Sequence, residues 1–199
     1  MSAHDADRPV LQVVVGSTRP GRVALPVAQW VHERAAAHGG FTAELIDLAE
    51  VGLPLFDEPY HPRLRRYVHD HTKRWSATVE RADAFVFVHP EYNHSMTAVL
   101  KNAIDYLHQE WAYKPVGLVG YGGVAAGARA MQALKPVCSV LKLVPLAETV
   151  PIPFVTQFIT GEGDDRRFEP STEVEAGAQK MLDELVRWVP TLRPLRNAQ

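Results

Sequence analysis

Five short apolar runs alternate along this chain with stretches of helical periodicity. The runs, at 10–15, 42–46, 84–88, 116–119 and 141–146, are rich in β-branched residues and bounded by turn residues. The stretches between them are 23–38, 64–81, 95–109 and 124–140, and a last helix is expected over about 172–188. Alternating strand and helix specify a parallel sheet with helices on both faces. Val13, Val14 and Val15 follow one another without period-2 alternation, as do Phe85 to Val88, which suits strands buried on both sides. From Ser95 onward, Met96, Val99, Leu100, Ala103, Ile104 and Leu107 form an apolar stripe, with Lys101, Asp105 and Gln109 opposite. Ser171 or Thr172 is expected to cap the last helix.

At 199 residues a single domain over 1–199 is expected, with 1–8 and 190–199 as flexible termini. The segment 151–170 is long and rich in Gly, Pro and acidic residues, which in a compact domain implies a functional role or contact with a partner. Lys plus Arg number 21 against 23 Asp plus Glu, so no basic excess points to nucleic acid or anionic membrane. Any anion must be held by a local arrangement. One cysteine, Cys138, rules out an internal disulfide, and its apolar helical setting reads as a buried inert thiol. The absence of an apolar signal core or a long apolar run gives a cytoplasmic expectation with no membrane span.

Three loops follow the first, third and fourth runs, and in a doubly wound sheet ligands bind beyond the carboxyl ends of the strands. The order 2-1-3-4-5, a flavodoxin-like three-layer sandwich with a five-stranded parallel sheet, brings those loops together. The first loop is Gly16-Ser17-Thr18-Arg19-Pro20-Gly21-Arg22. Its glycines allow close backbone approach, the helix it opens offers free N–H groups, and Arg19 and Arg22 suit a phosphate. The glycine spacing is that of a Walker A loop, but Arg22-Val23 replaces Lys-Ser/Thr, which argues against triphosphate hydrolysis. The G-x-G-x-x-G dinucleotide fingerprint is also missing, so a monophosphate such as that of FMN fits better. In the second loop, His89-Pro90-Glu91-Tyr92-Asn93-His94-Ser95, Pro90 is expected to stop the strand and Asn93 with Ser95 to cap the next helix. The third, Gly120-Tyr121-Gly122-Gly123-Val124-Ala125-Ala126-Gly127, admits either a ring edge or, at Gly127, close helix–sheet packing.

G-S-T-R-x-G-R, P-E-Y-N-x-S with L-K-N-A-I-D-Y, and the glycine-rich third loop together resemble the NADPH-dependent FMN reductase family, with its related quinone, azo-dye and chromate reductases. The likeness spans 10–146 in order and spacing. It implies that Ser17, Arg19 and Arg22 grip the FMN phosphate region. Pro90, Glu91, Tyr92, Asn93 and Ser95 hold the isoalloxazine and ribityl portion, and Gly122 and Gly123 close the site. It also implies bound FMN, NADPH or NADH as co-substrate, a small-molecule acceptor by a ping-pong scheme, and a homodimer or homotetramer. The chain departs from the pattern at His89, at Met96-Thr97 and at Ala125-Ala126, which bears on substrate preference and nicotinamide geometry.

The flavin carries the redox chemistry, so no side-chain nucleophile is expected. A non-enzymatic flavin carrier, or a reductase serving a monooxygenase, remains the alternative, although flavodoxins tend to be strongly acidic. His89 is the one titratable candidate near the ring, and packing at a strand end is its other role. His61, His69 and His71 with Asp70 match no zinc spacing and read as a solvated face. Asp47 is taken as structural. Trp111, Tyr113, Phe154, Phe158 and 151–153 are candidates for a subunit interface or for core packing.

Overall fold

The computed structural model describes residues 8–198. Its main sheet comprises β1 (Val10–Val15), β2 (Thr42–Asp47), β3 (Ala84–Pro90), β4 (Pro115–Tyr121) and β5 (Val144–Ile152), all parallel, in the order β2-β1-β3-β4-β5. This is the expected order. The helices are α1 (Ala24–His38), α2 (Leu48–Val51), α3 (Asp70–Glu80), α4 (Ala98–Asp105), α5 (Ala128–Val140) and α6 (Thr172–Asn197). A two-stranded hairpin, β6 (Ile159–Thr160) and β7 (Arg167–Phe168), stands apart from the main sheet.

Side-chain alternation divides the interior between two faces. Leu11, Val13, Val15, Val86 and Val88 pack with Val27, Val31, Met181 and Leu185 of α1 and α6. Val14, Phe85, Phe87 and Leu118 pack with Trp75, Ile104 and Leu134 of α3, α4 and α5. Because apolar residues on both faces are needed, β3 and β4 are buried along their whole lengths. Trp111 belongs to this interior, with its ring 5.0 Å from Phe85, so it is not interface material. Cys138 is fully buried, and burial pushes its thiol up to about 12.

Several expected boundaries move. α3 begins at Asp70 instead of 64, because Pro62–Leu64 forms only a 3-10 turn and Arg65 is left-handed (φ 49°). The Glu58 carboxylate accepts from the N–H groups of Val68 and His69 and fixes the entry to the helix. α4 begins at Ala98, where Thr97 accepts from the Leu100 N–H and so caps the helix in place of Asn93 and Ser95. The fifth strand lies at 144–152, not 141–146: Lys142 is left-handed (φ 58°) and closes the end of α5. β3 runs through Pro90. The Glu91 N–H turns to the Tyr121 carbonyl, so the missing Pro90 donor faces the other side, where β1 has already ended at Val15↔Val88.

The expected flexible tail at 190–199 is instead helix as far as Asn197, while Gln199 lies outside the described residues. Pro190 and Pro194 are both exposed, so the backbone carbonyls they leave unbonded are close to water. Val189 and Leu192 are buried, and Arg196 donates to Asp83 at 2.6 Å. The other expected terminus, 1–8, lies outside the described residues except for Arg8. Among the described residues, no helix is long and apolar enough to cross a membrane.

Candidate functional site

The carboxyl ends of β1, β3 and β4 open into a crevice of about 630 Å³. Arg19, Arg22, Pro90, Glu91, Tyr92, Gly122 and Gly123 line it, as the sequence led us to expect; Ser17, Asn93 and Ser95 do not. Ser17 is buried. Asn93 and Ser95 belong to a two-residue reverse turn in which Tyr92 and Ser95 exchange backbone hydrogen bonds at 3.0 and 2.9 Å. Asn93 (φ 49°) and His94 (φ 67°) both adopt left-handed conformations, as a type I′ turn requires, and asparagine tolerates this better than most residues.

The phosphate-type loop is tied down from three directions. The Gly16 N–H donates to the Val88 carbonyl at 2.8 Å, and the Thr97 hydroxyl donates to the Gly16 carbonyl at 2.7 Å. Arg22 forms an ion pair with Asp47, whose other oxygen accepts from Ala49 N–H at 2.9 Å and caps α2. Asp47 is therefore structural, and it also holds Arg22 in place. Val23 precedes α1 without any side-chain cap, so the first N–H groups of that helix point toward the crevice end with no side-chain acceptor at the cap position. The Arg22 Nε is buried and has no hydrogen-bond partner among the described residues.

On the opposite wall, Glu91 is engaged by both the backbone N–H of Arg129, at 3.1 Å, and its guanidinium. The carboxylate thereby joins the β3 loop to the start of α5. Gly127 (φ +78°) sits so close to β4 that a Cβ there would lie 2.4 Å from the Tyr121 nitrogen, so its role is close packing. At Gly123 and Gly21 an added Cβ would meet nothing within 4 Å. Space lies beside these two glycines, where a ligand can approach the backbone.

His89 is fully buried and does not line the crevice. Burial lowers its pKa to about 4, against the opposing pull of the Pro90 carbonyl and Glu91, so the imidazole is neutral at ordinary pH. Its Nδ1 lies 3.1 Å from the Pro90 carbonyl and its Nε2 has no partner among the described residues. Tyr121 does line the crevice, and burial together with Tyr92 raises its pKa, leaving the phenol protonated. His69 and His71 stack at 5.2 Å, with His71 3.0 Å from Asp57 and not in any grouping of three metal-ligating side chains among the described residues.

Sequence reasoning did not reach the third wall, which comes from the supposed loop after β5. Phe154, Val155, Thr156, Ile159 and Arg166 all face the crevice. Phe154, considered above as interface material, is a crevice residue, half-exposed at the mouth. The length and Gly/Pro content of 151–170 were the only signals, and they do not say where the segment folds back.

The sequence pattern described as NADPH-dependent FMN reductase matches residues 10–157. The chain belongs to that family. An NAD(P)H-dependent FMN reductase of Schizosaccharomyces pombe is 41% identical over 145 residues, 72% of each chain. One from a Nectria species is 32% identical over 182 residues, 87% of this chain and 90% of that one. FerB, a flavoenzyme NAD(P)H:acceptor oxidoreductase of Paracoccus denitrificans, has the same fold, with a TM-score of 0.69 at 22% identity over 92% of this chain and 98% of that one. As an NADPH-dependent FMN reductase by family, the protein is an oxidoreductase that uses FMN and NAD(P)H. The residues present fit that cofactor. An uncapped helix start and arginines can receive its phosphate, and open glycine backbone beside Tyr92 can receive a flat ring.

Proposed function

We propose that this crevice holds FMN with its phosphate at the Gly16–Arg22 turn and its ring between the 90–92 segment and Gly122–Gly123. NAD(P)H and a small planar acceptor then use the remaining space in turn. The chemistry supplied there is two-electron transfer from NAD(P)H to the acceptor by way of the bound flavin. The protein's own part is placement. Arg19, beside the first N–H groups of α1, neutralises the phosphate, and Ser17 supports that turn from beneath. Backbone at Gly122 and Gly123 borders the ring edge without side-chain interference. Tyr92 and Phe154, partly exposed, offer apolar faces to a flat substrate. Pro90 and Glu91 hold the wall rigid through the β3–β4 pairing and Arg129, and Asn93 and Ser95 act by shaping the turn that carries Tyr92.

The observation that carries this reading is that all three strand-end loops open into one crevice. A volume of about 630 Å³ is ordinary for a cofactor site. Reductant and acceptor that share this one crevice exclude each other, which favours a ping-pong sequence. Quinones, azo compounds and free flavin share the flat, conjugated shape that such a slot admits. Steady-state rates with NADPH and a benzoquinone varied against each other are expected to give parallel double-reciprocal lines, and intersecting lines would overturn the sequence. Rapid anaerobic bleaching of the bound flavin by NADPH is expected, and its failure would favour a carrier.

A further inference from the structure

The crevice holds more positive charge than the phosphate turn alone provides. Its charged walls are Arg19, Arg22, Glu91 and Arg166. Arg22 is paired with Asp47 and Glu91 with Arg129. Among the described residues, Arg19 and Arg166 have no carboxylate partner. Two cations therefore remain to be balanced, and a phosphate monoester carries about −1.5 to −2 at neutral pH.

Arg166 is placed by hydrogen bonds to carbonyls, which orient its guanidinium without neutralising it. Its Nε donates to Gly163 at 2.9 Å and its Nη1 to Gly21 at 2.9 Å. Gly21 belongs to the phosphate turn itself, so the β6–β7 hairpin is fastened to that turn across the crevice. The hairpin in turn is anchored from below. Phe168 is buried, its ring 5.1 Å from Trp30 of α1 and 6.2 Å from Phe158, and Thr160 donates to Glu169 at 2.9 Å. The cation thus lines the crevice from a supported element, and residues 10–157, which carry the family pattern, do not include it.

We propose that Arg166 is a latch on the FMN phosphate, closing the phosphate turn opposite Arg19 and slowing departure of the cofactor. The proposal rests on the crevice being the FMN site. It makes FMN a retained group in this chain, because leaving requires breaking a charge-assisted contact and displacing a braced hairpin.

The test compares FMN with riboflavin, which lacks the phosphate. Affinity is read by quenching of flavin fluorescence, and release by its recovery on dilution. In R166A, FMN affinity is expected to fall about ten- to a hundredfold with a matching rise in release rate, while riboflavin binding stays unchanged. R167A, which removes an exposed arginine one residue away that does not line the crevice, is expected to leave both ligands unaffected. R166Q keeps a donor for Gly21 and gives the same comparison if R166A does not fold. Equal FMN constants in wild type and R166A would overturn the latch while leaving the FMN site standing. Equal losses for FMN and riboflavin would reduce Arg166 to a structural brace and overturn it too. If the wild type bound neither flavin, the reading of the crevice itself would fall.

Discussion

His89 shows how burial turns a candidate catalytic group into a stability determinant. In the unfolded chain its imidazole titrates near 6.5, whereas in the folded protein burial holds it near 4. Between those values the unfolded state binds more protons, so acid favours unfolding and stability falls as pH drops through that window. The full effect is about 3 kcal/mol at about 1.4 kcal/mol per pH unit. H89L is expected to flatten the decline in Tm between pH 6.5 and 4.5 relative to wild type; equal slopes would show that His89 is not the titrating group. Two glycines make a second contrast. At Gly127 a side chain meets backbone in a left-handed conformation, and G127A is expected to cost about 3 kcal/mol, or about 6–12 °C in Tm. At Gly123 a methyl group meets nothing within 4 Å among the described residues, so G123A is expected to keep its Tm while FMN affinity falls about tenfold, both read on the same preparations. The sequence left Gly127 between a ring edge and close packing, because the choice lies in what approaches it from another strand.

The longest helix tests how far local rules carry. Pro190 and Pro194 each remove an N–H donor, which locally argues for a frayed end, yet α6 continues to Asn197. Tertiary contact decides the matter: Val189 and Leu192 are buried, and Arg193 and Arg196 lie 3.5 and 2.6 Å from Asp83 at the start of β3. Ending the chain after Trp188 is expected to lower stability by about 3 kcal/mol or more, about 6 °C or more in Tm, from the lost burial of two aliphatic side chains alone. An unchanged melting curve would show that the last turns contribute nothing. The same contest explains which elements could be read in advance. β1, β2, β3 and α1 follow from unbroken apolar runs or clean periodicity and appear within a residue or two of expectation. β5 does not, because its pairing with β4 shifts register between Val116 and Leu118, and its Pro145 and Pro151 are tolerated only on an edge strand. α4 starts late because Thr97, not Asn93 or Ser95, has the geometry of a cap.

At the scale of the whole molecule, the crevice was legible as a place before it was legible as a surface. Strand order alone puts the loops after β1, β3 and β4 on one rim. The wall formed by Phe154, Val155 and Arg166 was not legible, since it depends on a chain reversal packed through Phe168 onto Trp30, a contact between residues far apart in sequence. Closure of the crevice therefore draws on α1, the β3 and β4 loops and the hairpin at once. A ligand that touches all of them binds the native state and not the unfolded chain, so it must stabilise the whole fold by mass action. At a hundred times its dissociation constant, FMN is expected to add about 2.7 kcal/mol and to raise Tm by about 5–11 °C. The transition should stay single, because α6 packs on β4 and β5, its end is tied to Asp83 beside β3, and α1 packs on β1, β2 and α6. Inorganic phosphate at the same concentration lacks the ring contacts and should give a much smaller rise. Scanning calorimetry of the same preparation with each addition separates these cases. A melting temperature indifferent to FMN would mean that the three loops do not close on the cofactor, whatever their resemblance to those that do.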